Sequence, residues 1–150
     1  MRAVIQRVSA ANLTVEGVEK AKIGQGLLVL LGVEPSDTLD DLTWLAAKVV
    51  QLRIFSDEKG LMNLSVSDLR GQLLVVSQFT LFAATKKGNR PSFVRAAKPD
   101  FARSMYQNFV EELVKISHLD VQTGEFGADM KVTLLNDGPV TIWIDTKNRE

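Results

Sequence analysis

The chain has no cysteine and a single histidine among its 150 residues. Without thiols there is no disulfide framework, no thiolate nucleophile and no Cys-ligated metal, a composition that suits a reducing compartment, with the cytoplasm as the expected location. His118 follows an apolar-periodic segment, where a helix-terminal or surface role outweighs general-base duty, and a Ser-His-Asp arrangement could be built only through it. The carboxylates are scattered or lie on helix faces with no metal-loop pattern, so no metal is expected. Apolar runs such as Gly26–Val33 fall far short of the roughly 20 residues that span a bilayer. The first residues, Met1-Arg2-Ala3-Val4-Ile5-Gln6-Arg7, lack a signal-peptide core and cleavage site, so no membrane partner is expected. Also missing are a G-x-S-x-G elbow, a Walker A loop, a G-x-G-x-x-G turn and an H-E-x-x-H pair. Net charge is zero, with 18 basic and 18 acidic residues, so no global field advertises a nucleic acid, and DNA is not expected as a partner.

What is present is enough apolar surface, 45% of the residues, for the core of one domain spanning 1–150. Arg2–Val8 and Leu13–Ile23 read as strands, the second turning at Gly17, and Leu27–Leu31 is a continuous apolar run of the kind found at sheet centres. Leu39, Leu42, Leu45, Val49 and Leu52 recur at helical spacing after Ser36 or Asp37, either of which can cap. Arg53–Phe55 and Gln72–Gln78 read as further strands, the latter ending in polar residues. Pro99 is placed to start a second helix with Phe101, Met105, Phe109, Leu113 and Ile116 as its apolar stripe. Leu119–Thr123, Lys131–Asn136 and Val140–Asp145 close the pattern, which predicts a layered α/β domain with more sheet than a simple βαβ repeat.

The charge distribution says more than its sum. From Thr85 to Arg103 six cations, Lys86, Lys87, Arg90, Arg95, Lys98 and Arg103, face one carboxylate, Asp100. That segment can grip phosphates or simply be a solvated basic surface. An enzyme so poor in acid–base groups must act on a reactive substrate by positioning it, and an aminoacyl ester, whose carbonyl is already activated, fits that requirement.

Six strings then combine: Gln6-Arg7-Val8, Gly26–Val33, Ser77-Gln78-Phe79-Thr80-Leu81, Arg90-Pro91-Ser92-Phe93, Ala128-Asp129-Met130 and Asn136-Asp137-Gly138-Pro139-Val140-Thr141. In this order, from residue 2 to about residue 145, they closely resemble the D-aminoacyl-tRNA deacylases, with a departure at Phe82-Ala83-Ala84. The resemblance implies a three-layer α/β/β fold with mixed sheets and two main helices, a homodimer, and no metal or organic cofactor. It implies hydrolysis of the ester joining a D-amino acid, or glycine, to the terminal adenosine of tRNA, so that the partner is aminoacyl-tRNA. Ser77, Gln78, Phe79 and Thr80 would form the pocket floor, with backbone N–H groups at Phe79 and Thr80 meeting the scissile carbonyl and the ribose 2′-hydroxyl assisting. Gly138-Pro139 would be cis and enter the partner subunit's pocket to exclude L-amino acids, whereas only roughly 5–6% of X-Pro bonds in folded proteins are cis. Arg7 would hold that loop, Met130 and Phe126 would take the adenosine, and Lys86, Lys87 and Arg90 would meet tRNA phosphates.

On the residues alone, each of these has a plainer reading. Ser77–Thr80 could be a strand end with Phe79 in the core, Gly138-Pro139 an ordinary turn, and Met130 and Phe126 core packing. Two other functions also stay open at this point: a non-catalytic tRNA- or RNA-binding module using the basic segment, and a small-molecule ester or amide hydrolase using Thr80 as nucleophile.

Overall fold

A computed structural model describes all residues from Met1 to Glu150. Strand β1 runs unbroken over Arg2–Val15, where the sequence reading expects two pieces separated near Ser9. The cause is a bulge. Arg7 and Val8 are buried in succession, and the pairing of β1 with β8 (Met130–Asp145) slips between Gln6 and Val8 and again between Val8 and Ala10. The extra residues bend the strand instead of ending it, so its two halves face different cores.

The remaining elements are β2 (Val18–Ile23), β3 (Gly26–Gly32), α1 (Leu39–Gln51), β4 (Phe55–Ser56), β5 (Met62–Leu64), β6 (Gln72–Ser77), a 3₁₀ turn at Phe79–Phe82, α2 (Pro99–Ser117) and β7 (Val121–Thr123). The main sheet has the order β2-β1-β3-β6-β7, with β8 on the other side of β1. β3, β6 and β7 are parallel, and β1 is antiparallel to each of its partners. On one face Leu27, Val29, Leu31, Leu73 and Val75 pack with Ala3, Ile5, Leu45, Val49, Phe109 and Leu113 from β1 and the helices. On the other, Leu28, Leu74 and Val76 meet Leu13, Val15, Ala21 and Ile23 from the bent half of β1 and from β2. The result is the three-layer α/β/β arrangement with two helices. It explains why β3 and β6 are apolar at nearly every position: both faces are covered.

Several boundaries differ from expectation. Helix α1 is capped by Thr38, in a capping box with Asp41, because Asp37 is engaged elsewhere: its carboxylate takes the Met1 ammonium in a buried ion pair. In α2 the buried residues are Met105, Tyr106, Phe109 and Leu113. Phe101 and Ile116, at the two ends, are 40% and 37% exposed, because the packed face is turned toward Tyr106, which donates to the Val75 carbonyl at 2.8 Å. His118 closes α2 in the left-handed conformation, φ 56°, the helix-terminal role its position suggests. Strand β4 is Phe55–Ser56, not Arg53–Phe55, and pairs with β5, which the sequence reading missed because a strand of three residues is too short to show a period. The two closing strands are one element, β8, whose pairing with β1 skips from Asn136 to Thr141.

Candidate active site

At the carboxyl end of β6 the chain leaves the sheet at Ser77 and tightens into the 3₁₀ turn Phe79–Phe82. Gln78 N–H donates to Leu31 O at 2.7 Å, and the first bond of the turn runs from Leu81 N–H to Gln78 O at 3.3 Å. The N–H groups of Phe79 and Thr80, between these two, have no acceptor in the chain, as the opening donors of a helical turn do not. Close packing fixes the turn: a Cβ on Gly32 would lie 3.1 Å from Gln78 O and from the Phe82 ring. Arg2 ties down its far end, donating to Leu81 O at 2.9 Å with its guanidinium 4.6 Å from the Phe82 ring centroid.

Beside the turn is a cavity of about 650 Å³ walled by Ser77, Gln78, Phe79, Phe93, Phe126 and Met130 among others, including the start of α2. Its size suits a nucleoside carrying a small acyl group. Phe79 is 54% exposed and meets Phe93 edge to face at 5.1 Å, so the core role open to it in the sequence is excluded. Thr80 does not wall the cavity, and its hydroxyl accepts from Gln78 Nε2 at 2.5 Å. No imidazole or carboxylate is positioned to activate it. Tyr106, behind the cavity, is no proton carrier near neutrality, since burial pushes its hydroxyl up to about 12. No cluster of three His, Asp or Glu side chains capable of holding a metal occurs in the chain.

The other sequence candidates lie outside the cavity. Lys86, Lys87 and Arg90 are exposed on the loop closed by the Ala84–Ser92 bridge. Gly138-Pro139 forms a cis peptide, with Gly138 at φ 137°. Arg7, buried to 8% exposure, donates from Nε to Asp137 O at 2.9 Å and from Nη1 to Ile54 O. Gly138 stands beside Arg7 on β8, three strands from β6. It is also level with Leu73, four residues before Ser77. At about 4.8 Å per strand and 3.3 Å per residue, that is a separation on the order of 20 Å within one chain. The structure therefore gathers Ser77, Gln78, Phe79, Phe126 and Met130, sets Thr80 at the edge, and leaves Arg7, Gly138 and Pro139 as a second group. Sequence reasoning missed Phe93 and Arg103 as cavity residues. Phe93 ends one of the recognised strings, and Arg103 was visible only as one charge in the basic segment.

A family model described as D-Tyr-tRNA(Tyr) deacylase matches residues 4–145. The chain belongs to this deacylase family. It is 61% identical to the D-aminoacyl-tRNA deacylase of Flavobacterium johnsoniae and 59% identical to that of Parabacteroides distasonis, in each case over 100% of both chains. Among solved structures, one titled c-Myc DNA Unwinding Element Binding Protein superposes with a TM-score of 0.91 at 42% identity, covering 97% of this chain and 98% of the other. A probable eukaryotic D-amino acid tRNA deacylase shares the fold at 18% identity, with a TM-score of 0.82 over 95% of this chain and 97% of that one. Membership places the deacylase among the hydrolases.

Proposed function

We propose that the deacylase frees D-amino acids, and glycine, from the terminal adenosine of tRNA by holding the aminoacyl ester over the Phe79 and Thr80 N–H groups. The observation that carries this reading is that pair of unclaimed donors at the edge of an aromatic-walled cavity. A tetrahedral oxyanion needs two such donors, and one is typically worth about 10²–10³ in rate. Ser77, Gln78, Phe79 and Thr80 form the ester end, Phe126 and Met130 the adenosine end, and the ribose 2′-hydroxyl, adjacent to the ester, orients the attacking water. Residues 1–150 act as a single deacylase domain in the cytoplasm.

Gly138-Pro139 acts across a homodimer, entering the partner's pocket where an L side chain would otherwise sit. Its distance from Ser77 in the same chain, on the order of 20 Å by strand spacing, supports a role in the other copy's site. Arg7 holds the loop, and Lys86, Lys87 and Arg90 face tRNA phosphates.

The test is to incubate pure protein with D-aminoacyl-tRNA, L-aminoacyl-tRNA and a D-aminoacyl-tRNA ending in 2′-deoxyadenosine. The first is hydrolysed, and the other two are cleaved poorly. Release of D-amino acid at no more than the spontaneous rate overturns the activity. Equal cleavage of the deoxy substrate overturns the 2′-hydroxyl's part.

A further inference from the structure

A second cavity, of about 330 Å³, adjoins the first. Arg103 and Phe126 wall both, so the two spaces meet across this pair of side chains. The Arg103 guanidinium lies 4.7 Å from the Phe126 ring centroid, a geometry that fixes a cation at the boundary. Its charge is uncommitted. Arg95, from the same basic segment, is paired with Glu34 at 3.6 Å, and the Asp129 carboxylate on the first cavity's wall is held by Lys131 at 2.8 Å. Beyond Arg103 the second cavity is more polar than the first, with Gln107, Glu111 and Thr123 on its wall beside Val110.

We infer that this second cavity seats the penultimate nucleotide of the tRNA 3′ end, with the Arg103 guanidinium on the phosphate that joins it to the terminal adenosine. The inference rests on the proposed orientation, in which the ester is at Phe79 and the adenosine at Phe126 and Met130. In that orientation the unpaired guanidinium beside Phe126 is the cation available to the phosphate on the adenosine's 5′ side. Single-stranded RNA is held by this combination of an aromatic or guanidinium platform for a base and a cation for the backbone. That nucleotide is a cytidine in every mature tRNA. Its exocyclic amine is a donor, and Glu111 and Gln107 offer acceptors on the cavity wall.

The experiment titrates the intact protein with adenosine, with adenosine 5′-monophosphate and with the dinucleotide CpA, and reads dissociation constants by calorimetry. Deacylation of D-aminoacyl-tRNA is measured in parallel. Affinity rises from adenosine to the monophosphate to CpA, and a charge-assisted contact makes the total gain about tenfold or more. Arg103→Gln brings the monophosphate to within about twofold of adenosine and leaves CpA only the smaller gain of its cytidine contacts, Arg103→Lys recovers part of the phosphate gain, and the salt slope of CpA binding falls by about one. If CpA and the monophosphate bind no better than adenosine, or Arg103→Gln keeps the full gain, the inference is overturned. Absence of deacylation by wild-type protein would instead strike at the proposed function, a separate result, since the binding series is read without turnover.

Discussion

Arg7 and Asp137, 130 residues apart in sequence, are joined twice: Arg7 Nε donates to the Asp137 carbonyl at 2.9 Å and lies 3.2 Å from its carboxylate. Arg7 also donates to Ile54 O, so one guanidinium at the β1 bulge fixes both the start of β4 and the turn that carries Gly138. Arg7→Ala leaves a buried carbonyl unpaired and costs about 1–3 kcal/mol. Arg7→Lys recovers little, because a single ammonium cannot reproduce the guanidinium's fan of donors. Thermal unfolding reads the stability. If the loop serves chiral selection, the ratio of D- to L-aminoacyl-tRNA hydrolysis falls further than D activity alone, and an unchanged ratio would remove Arg7 from that role.

Gly138 cannot accept a side chain without movement. A Cβ there would stand 2.8 Å from Val140 N and 3.0 Å from Arg7 Nη2, at a φ of 137° that L residues rarely adopt. Gly138→Val should therefore destabilise by about 1–3 kcal/mol and displace the turn. The folded fraction, isolated and assayed, discriminates poorly against L-aminoacyl-tRNA. Wild-type selectivity in a folded Gly138→Val protein would count against any contact of this loop with substrate.

How much of this was legible in the sequence depended on whether the deciding interaction was local. The apolar runs of β3 and β6 and the Pro99 start of α2 could be read directly, because periodicity and proline chemistry are local. The unbroken β1 could not, since its bulge is set by β8, more than a hundred residues away. The α1 cap is Thr38 and neither Ser36 nor Asp37, and Asp37 is claimed by the Met1 ammonium, a long-range ion pair that local propensity cannot anticipate. At the site, Ser77–Phe79 stood out as polar and aromatic residues ending a buried strand. Phe93 and Arg103 did not, because only the folding of the 93–103 segment over β6 brings them to the cavity.

If the Phe79 and Thr80 amides supply the catalysis, side chains should matter less than backbone. Thr80→Ala loses a hydroxyl already turned to Gln78 and should retain deacylation within about tenfold, since the N–H remains. Phe79 opens the 3₁₀ turn and its N–H has no acceptor in the chain, so proline at this first helical position forfeits no internal bond. Phe79→Pro removes one donor where Phe79→Ala keeps it. The proline variant should be slower than the alanine variant by about 10²–10³ in kcat. Equal rates in two folded variants would sink the backbone mechanism, and complete loss in Thr80→Ala would revive the hydroxyl as nucleophile.

Arg2 acts on the same turn from behind. Its guanidinium lies 4.6 Å from the Phe82 ring centroid and 5.4 Å from that of Trp143, and it pairs with Asp145 at 2.8 Å while holding Leu81 O. Arg2→Ala frees the end of the turn without touching the cavity, so kcat should fall several-fold while KM for D-aminoacyl-tRNA changes little. Arg2→Lys, which can still reach Leu81 O, should restore part of kcat. Parallel loss in kcat and KM affinity, with no rescue by lysine, would show that Arg2 only stabilises the fold.

The ends of the chain meet in a charged knot whose pH response can be worked out. The Met1 ammonium is bound by Asp37 and by Thr146 Oγ1 at 2.6 Å, and Lys147 Nζ donates to Asp41 Oδ2 at 2.6 Å. Burial works to raise the Asp41 carboxyl, but the Lys147 ammonium and the Thr38 donors outweigh it and hold it well below the usual carboxylate range. Lys147 is raised, chiefly by its bond to Asp41. A carboxyl lowered on folding contributes stability above its unfolded value of about 3.9 and loses it as pH falls toward the folded value. A raised ammonium contributes below its unfolded value of about 10.4 and loses it as pH climbs past that. The unfolding temperature should therefore be level in this contribution from about pH 5 to 9 and fall on the acid side below about pH 4. Asp41→Asn lowers the plateau and flattens the acid limb, so the two proteins converge toward pH 2. A constant gap between them from pH 6 down to pH 2 would mean that the Asp41 charge contributes nothing to holding the chain ends.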